Sequence, residues 1–125
     1  MKRVLIIDDD EAILRMMNKL ISREGYEVMT ASNGDEATYI LKDDSMFDLV
    51  ITDIIMPKKE GIEIVTMLKN EFPEIKVIAI SGGGRFSPAG YLKAADILGA
   101  HKTFIKPFNH REMLNAINEL IGDAD

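Results

Sequence analysis

The sequence predicts an α/β protein, a doubly wound (βα)5 domain with a parallel five-stranded sheet and helices on both faces. Short aliphatic runs of strand length alternate with segments in which apolar residues recur every three or four positions. The runs consist almost entirely of Val, Ile and Leu, which is typical of parallel strands that are buried on both faces. With 125 residues, 46% of them apolar, the chain can bury one sizeable core. We therefore expect a single domain over residues 1–125.

Five strands are predicted where aliphatic runs stand between turn-forming residues. They cover residues 4–7, 27–31, 49–52, 77–80 and 103–105. The letters "EG", "FPE" and "LGA" precede the second, fourth and fifth runs. Glycine and proline commonly end one element and begin the next, so each run is bounded as a separate strand.

Helical periodicity fills the segments between the strands. Apolar residues stand at positions 13, 16, 17, 20 and 21, then 37, 40 and 41, then 64, 65 and 68, and finally 113, 114, 117, 120 and 121. A weaker segment at residues 91–98 completes five βα units. Asp10 and Glu11 stand at the start of the first helix, where carboxylates accept hydrogen bonds from free N–H groups, so we expect them to cap it.

Composition excludes several classes of protein. The formal net charge is -6, which opposes direct binding to nucleic acid or to an anionic membrane surface. No segment has the roughly 18 apolar residues that a membrane-spanning helix needs, and "MKRVLIIDDD" reaches acidic residues too soon for a signal peptide. The lack of cysteine rules out disulfides, thiolate metal sites and thiol catalysis. We expect a soluble, cytoplasmic protein.

Polar side chains stand where the predicted strands end. In parallel α/β sheets the working site lies beyond the carboxyl ends of the strands, so these residues are the first candidates for function. An apolar core gives no reason for a polar group at each of four strand ends. The residues are Asp8, Asp9 and Asp10 after the first strand, Asp53 after the third, Ser81 after the fourth and Lys106 after the fifth.

The chemistry of this set points to phosphoryl transfer. Clustered carboxylates repel one another unless a cation stabilises their charged forms. Oxygen ligands without cysteine favour a hard cation such as Mg²⁺, which typically takes one or two carboxylates, waters and a phosphate oxygen. A carboxylate can itself attack phosphorus and form an acyl phosphate. Asp53, Mg²⁺ and Lys106 would fill these roles.

Four motifs give the chain a resemblance to a known family. They are "LIIDDD", "DLVITDIIMPKKEG", "VIAISG" and "FIKPF", in this order and at strand ends. Together they resemble the receiver domain of two-component response regulators, close in size to the single-domain, chemotaxis-type members. The resemblance covers essentially the whole chain. It implies a flavodoxin-like fold with the strand order 2-1-3-4-5.

The resemblance also assigns a metal site. Asp53 is similar to the family's phosphate acceptor, and Asp9 to a direct ligand of Mg²⁺ or Mn²⁺. Asp8 matches the residue that holds metal-bound water. The backbone carbonyl of Ile55 would be a further ligand.

Further positions match the phosphate-binding side of the family's site. Ser81, followed by Gly82, matches the switch hydroxyl that binds the phosphoryl group, and Lys106 matches the lysine that pairs with it. Pro107 follows in a peptide bond that is usually cis in the family. Gly61 stands at the glycine of the pattern D-x-x-M-P-x-x-x-G, where it gives the loop after the third strand its turn.

The resemblance implies a signalling function rather than metabolic catalysis. A sensor histidine kinase or a histidine phosphotransfer protein would supply the phosphoryl group to Asp53. The face formed by residues 91–98, the fifth strand and the last helix would then control an unknown downstream protein. Water would later hydrolyse the acyl phosphate. The protein would be a monomer or a dimer that forms on phosphorylation.

Three features depart from the family pattern. The position three residues before the lysine is commonly Tyr or Phe, but here it is Thr103, and Phe104 should face the other side of its strand. This leaves open how the switch hydroxyl is coupled to the fifth strand. The loop at residues 81–90 is rich in glycine and longer than usual, and apolar Ile55 borders the phosphoryl group.

Two other functions are compatible with the sequence. A haloacid-dehalogenase-type phosphatase would use Asp8 as its nucleophile, but Glu11 replaces the usual Thr or Val, and the chain has no room for a cap. A receiver-like interaction module without phosphorylation is the second alternative. The chain, however, has the acidic residues, the acceptor, the hydroxyl and the lysine that phosphorylation needs, which argues against a module that is not phosphorylated.

Overall fold

The computed structural model describes residues 1–44, 46–54, 61–81 and 99–125. The helix predicted at residues 91–98 lies outside these ranges, so that prediction stays open. Among the described residues, no helix is both long and apolar enough to cross a membrane.

The described residues form five strands and four helices. In chain order they are β1 (Arg3–Ile7), α1 (Glu11–Ser22), β2 (Glu27–Ala31), α2 (Gly34–Asp43), β3 (Leu49–Asp53), α3 (Gly61–Glu71), β4 (Lys76–Ser81), β5 (Lys102–Ile105) and α4 (His110–Ile121). All strand pairs are parallel, and the sheet order is β2-β1-β3-β4-β5. The expected fold class and strand order are confirmed, and each predicted strand agrees with the structure within one residue at either end.

The strand order places the polar strand ends on one edge of the sheet. β1 pairs with β2 on one side and with β3 on the other, so the chain changes direction across the sheet at β1. The register aligns Ile7 with Thr52, and Ser81 with Ile105. Asp8, Asp53 and Lys106, which follow Ile7, Thr52 and Ile105, therefore meet at the carboxyl edge of the sheet.

Apolar side chains cover both faces of the sheet. One buried cluster joins the sheet to α2 and α3 and contains Leu5, Val50, Ile64 and Leu68. The other joins it to α1 and α4 and contains Ile6, Met17, Ile51 and Ile117. Among the described residues the buried polar side chains are those of Asp8, Thr52, Asp53 and Ser81, all near the carboxyl edge. The interior is thus apolar except beside the candidate site.

Asp10 caps α1, as the sequence predicts. Its Oδ1 accepts hydrogen bonds from the N–H groups of Ala12 at 2.9 Å and Ile13 at 3.4 Å. The side chain is therefore engaged by the helix terminus. This separates Asp10 from Asp8 and Asp9, which precede it at the end of β1.

Arg3 ties elements together at the opposite edge of the sheet. Its guanidinium donates to Glu27 at 2.6 Å and to Asp44 at 3.0 Å, and its Cζ lies 4.4 Å from the centre of the Phe47 ring. Its backbone N–H donates to Asp48 Oδ2 at 2.8 Å. These contacts fix the start of β1 against β2 and the segment that leads into β3.

His101 extends the pairing of β4 with β5 by means of its side chain. Its backbone N–H donates to the carbonyl of Val77 at 2.8 Å, and its Nδ1 accepts from the Val77 N–H at 3.0 Å. Partial burial lowers the pKa of His101, and the nearby Lys76 acts in the same direction. A proton on Nδ1 would also abolish the bond from Val77, so the fold favours the neutral imidazole.

This contact predicts a pH-dependent stability. Because the pKa of His101 in the folded protein lies below its unfolded value of 6.5, the unfolded chain binds the proton more strongly. The contribution of His101 is therefore complete above that value and is lost as the pH falls below it. Urea unfolding between neutral pH and about pH 5.5 should show a smaller decrease for His101→Asn than for the wild type. Equal slopes in the wild type and in His101→Asn would contradict this account.

Candidate functional site

The structure brings four of the predicted site residues into direct contact or close proximity at the carboxyl edge of the sheet. Lys106 Nζ lies 2.6 Å from Asp8 Oδ2 and 3.0 Å from Asp53 Oδ2. One carboxylate oxygen each from Asp8, Asp9 and Asp53 lie within 4.8 Å of one another. Residues that are 45 and 98 positions from Asp8 in the sequence thus form a single cluster.

The carboxylates differ in exposure. Asp8 is 1% and Asp53 7% exposed, whereas Asp9 is exposed. An all-oxygen set at this spacing suits one small hard cation, and the exposed side of the cluster leaves room for water ligands. The described residues therefore fit a magnesium site.

Asp8 is already hydrogen-bonded through both oxygens. Its Oδ1 accepts the N–H of Asp10 at 2.9 Å, and its Oδ2 accepts Lys106 Nζ at 2.6 Å. Burial raises the pKa of the Asp8 carboxyl, and the charge of Asp53 acts in the same direction, while the Lys106 and Asp10 hydrogen bonds oppose the increase. The net result is a carboxylate whose charge is costly without a further cation.

Lys106 shows the opposite balance. Burial alone would lower its pKa, but the hydrogen bonds to Asp8 and Asp53 outweigh burial, so the pKa of Lys106 is raised. The ammonium therefore stays charged at neutral pH. One cation serves two carboxylates.

Ser81 is fully buried at the end of β4. Its hydroxyl has no hydrogen-bond partner among the described residues, although its backbone carbonyl accepts the Lys106 N–H at 2.9 Å. Leaving a buried polar group without a partner costs about 1–3 kcal/mol, so such a group usually has a functional reason.

The segment around Lys106 carries the other positions singled out in the sequence. The Lys106–Pro107 peptide bond is cis. Thr103 is exposed and aligned with Ala79, while Phe104 packs into the cluster beneath α1 and α4, as strand alternation predicts. The Lys106 N–H donates to the Ser81 carbonyl and so joins the residue after β5 to the end of β4.

Gly61 begins α3 directly against the backbone of the predicted acceptor. A Cβ at this position would lie inside 3.0 Å of the Asp53 carbonyl and of Ile54 Cα. The Gly61 N–H also donates to the Ile54 carbonyl at 3.1 Å. Close approach, rather than an unusual φ angle, requires glycine here.

Thr52 lies beside the candidate site but is not among the residues predicted from the sequence. Its buried hydroxyl donates to the Asp53 carbonyl at 2.9 Å. The available signal was one hydroxyl residue inside the otherwise aliphatic strand "LVITD". Ile55 and Gly82, predicted to contribute to the metal and phosphate sites, lie outside the described residues.

The fold and site define a doubly wound α/β domain with an acidic, lysine-containing cluster at the carboxyl edge of its sheet. The chain belongs to the response regulator receiver domain family, whose model matches residues 4–118. Receiver domains are signalling modules, and phosphorylation on an aspartate is typical of the family.

Individual relatives agree with this assignment. The response regulator receiver protein CpdR of Brucella abortus is 31% identical over 121 residues, which cover 97% of this chain and 98% of that protein. A receiver domain structure from Clostridium thermocellum superposes with a TM-score of 0.88 at 33% identity, covering 97% and 94% of the two chains. The Thermotoga maritima response regulator TrrA, solved in complex with Mg²⁺ and BeF, has a TM-score of 0.81 at 30% identity, with coverage of 96% and 99%. The chain spans 50% of the length of several longer relatives, which are transcriptional regulatory proteins.

Replacing the lysine tests the shared ion pair. Lys106→Met should lower the free energy of unfolding by about 1–3 kcal/mol at neutral pH, because two buried carboxylates lose their cation. Since the pKa of Asp8 is raised, this loss should shrink as the pH falls through that raised value and Asp8 becomes neutral. Urea unfolding in the presence of a chelator measures the effect.

A second lysine provides the control. Lys102 makes a more exposed ion pair with Glu119 at 2.9 Å. Lys102→Met should cost less than about 1 kcal/mol. A pH-independent loss for Lys106→Met, or an equal loss for both variants, would contradict the shared-cation account.

Gly61→Ala tests the close approach of α3. The added methyl group should destabilise the protein by about 1–3 kcal/mol, because it must displace the backbone of Asp53 and Ile54. Thermal and urea unfolding measure the loss. An increase in stability, as seen for glycine-to-alanine changes at unstrained helical positions, would refute the contact.

Proposed function

We propose that the chain is a phosphoacceptor receiver domain in which Asp53 takes a phosphoryl group from a phosphohistidine. The donor is a sensor histidine kinase or a histidine phosphotransfer protein. The observation that carries the proposal is the meeting of Asp53 with Asp8, Asp9 and Lys106 at the carboxyl edge of the sheet.

The transfer step follows from the position of Asp53. One of its carboxylate oxygens forms a bond to phosphorus as the nitrogen–phosphorus bond of the donor breaks. The electron pair of that bond goes to the donor imidazole, which takes up a proton. Lys106, which lies 3.0 Å from Asp53 Oδ2, places a fixed positive charge beside the oxygens of the transferred group.

A divalent cation, Mg²⁺ or Mn²⁺, fits the acidic side of the site. We assign Asp9 and Asp53 as its direct carboxylate ligands and the Ile55 carbonyl as a further ligand. Asp8 acts through bound water, because both of its oxygens already accept hydrogen bonds from the protein. When bound, the cation neutralises negative charge on the phosphoryl oxygens.

Ser81 is assigned to the phosphorylated state. Its buried hydroxyl donates to a phosphoryl oxygen, and the backbone N–H of Gly82 supports the same group. Because the Ser81 carbonyl accepts the Lys106 N–H, a movement of Ser81 is transmitted to the end of β5. Residues 91–98, β5 and α4 then present the altered surface to a downstream protein, as monomer or dimer.

The domain resets itself rather than turning over a metabolite. A water oxygen forms a bond to phosphorus, and the bond between phosphorus and the Asp53 oxygen breaks. Inorganic phosphate leaves, and the carboxylate is restored. The interval between transfer and hydrolysis sets the duration of the signal.

Labelling with a small phosphodonor tests the proposal. Incubation with Mg²⁺ and acetyl phosphate should give one acid- and base-labile adduct, which mass spectrometry maps to Asp53. The adduct should be lost in Asp53→Asn and in the presence of a chelator, since the nucleophile or the cation is then missing. Labelling at Asp8 would support a phosphatase-type site, and no labelling with any donor would support a silent module.

Neighbouring acids provide a matched pair of variants. Asp9→Asn removes a proposed ligand and should reduce labelling at least tenfold at limiting Mg²⁺, with recovery as Mg²⁺ is raised, because the cation site is weakened. Asp10→Asn keeps a residue that can cap α1 and should label at the wild-type rate. Equal losses in both variants would remove the special role of Asp9.

A further inference from the structure

Thr52 is buried completely, yet no part of the proposed phosphoryl transfer uses it. We propose that Thr52 is a positioning residue, whose hydroxyl fixes the peptide that carries the acceptor carboxylate of Asp53. The inference rests on the proposed function of Asp53. It concerns a residue of β3 that is not among the proposed ligands of the cation.

The pairing of β3 explains why its end needs support. The register of β1 with β3 ends at Ile7 and Thr52, one residue before Asp53, while the pairing with β4 continues to Asp53 and Ile80. The acceptor is thus held by strand pairing from the β4 side. Thr52 Oγ1 donates to the Asp53 carbonyl at 2.9 Å.

The peptide after Asp53 is held by further contacts. The Ile54 N–H donates to the Ile80 carbonyl at 3.0 Å, and the Ile54 carbonyl accepts the Gly61 N–H at 3.1 Å. The side chain of Ile54 is fully buried, and Gly61 lies too close to the Asp53 carbonyl for any Cβ. Together with the Thr52 hydroxyl, these contacts fix the backbone on both sides of the Asp53 carbonyl.

A purely structural role would favour valine over threonine at this position. The two side chains have nearly the same shape and both suit a strand, but burying a hydroxyl costs about 1–3 kcal/mol unless its hydrogen bond compensates. The neighbouring positions Val50 and Ile51 are aliphatic and fully buried. We therefore attribute the hydroxyl at this position to its hydrogen bond with the Asp53 carbonyl rather than to apolar packing.

The hydrogen bond of Thr52 aligns the carboxylate of Asp53. Asp53 Oδ2 must stay about one hydrogen-bond length from Lys106 Nζ, at 3.0 Å, while its reactive oxygen faces the donor. A shift of about 1 Å in a reacting group can cost on the order of a hundredfold in rate. Rotation of the Asp53 peptide moves its Cα–Cβ bond, so fixing the carbonyl limits this misplacement.

Phosphorylation kinetics test the inference with three variants. Thr52→Val should reduce the rate of Asp53 labelling by about tenfold at saturating acetyl phosphate and Mg²⁺, and Thr52→Ser should restore most of it. Thr66→Val is the matched control, because Thr66 Oγ1 makes the same kind of bond to the Ile62 carbonyl at 2.9 Å within α3. It should label at the wild-type rate even if its urea midpoint falls as much as that of Thr52→Val.

Amide hydrogen exchange gives a readout that needs neither metal nor donor. In metal-free protein, Thr52→Val should speed exchange at the N–H groups of Ile54 and Gly61 more than at the amides within β3, with protection recovered in Thr52→Ser. Wild-type labelling rates in Thr52→Val, failure of Thr52→Ser to restore the rate, or unchanged exchange at Ile54 would each overturn the inference. If the wild type is not labelled, the proposed function fails, while the exchange result still decides whether Thr52 fixes the peptide.

Discussion

The ammonium of Lys106 between two buried carboxylates is the interaction on which the rest of the site depends. It joins the end of β5 to the ends of β1 and β3, although the sheet order separates β5 from both strands. Burial raises the pKa of the Asp8 carboxyl even beside this cation, so the cluster is only partly compensated. Burying charges in this way costs stability. The proposed binding of a metal ion and a phosphoryl group gives a functional reason for keeping the charges there.

The two edges of the sheet divide stability from function. At the amino edge, Arg3 contacts two acidic side chains and one aromatic ring, which come from β2 and from the connection between α2 and β3. At the carboxyl edge, the buried hydroxyl of Ser81 has no partner among the described residues, and three carboxylates converge. The apolar clusters on both faces of the sheet stabilise the strands between these two edges. The fold tolerates the unpartnered hydroxyl and the clustered carboxylates because the rest of the sheet is paired in parallel and covered by apolar side chains on both faces.

The sequence predicts the strands well because both their composition and their boundaries are local signals. Strand order and the meeting of polar strand ends followed from the motifs and from the geometry of parallel sheets, as did the capping role of Asp10. The hydroxyl bond of Thr52, the close approach of Gly61 and the double hydrogen bonding of Asp8 could not be predicted in this way. The Lys106 bond to Asp8 and the approach of Gly61 to Asp53 depend on how separate elements are placed in space. The Thr52 and Asp10 bonds are local in sequence but depend on exact side-chain and backbone torsion angles, which residue spacing does not encode.

The single lysine among three aspartates has a consequence for electroneutrality. With all groups ionised, the cluster of Asp8, Asp9, Asp53 and Lys106 carries a formal excess of two negative charges, which one divalent cation cancels. The proposed phosphorylation of Asp53 removes the charge of its carboxylate and adds a phosphoryl charge of about -1.5 to -2. The phosphorylated site therefore gains up to roughly one negative charge. In the proposed phosphorylated state, neutral hydrogen-bond donors would compensate part of that surplus. The buried Ser81 hydroxyl at the end of β4, which has no partner among the described residues, is such a donor, and its hydrogen bond would distinguish the two states.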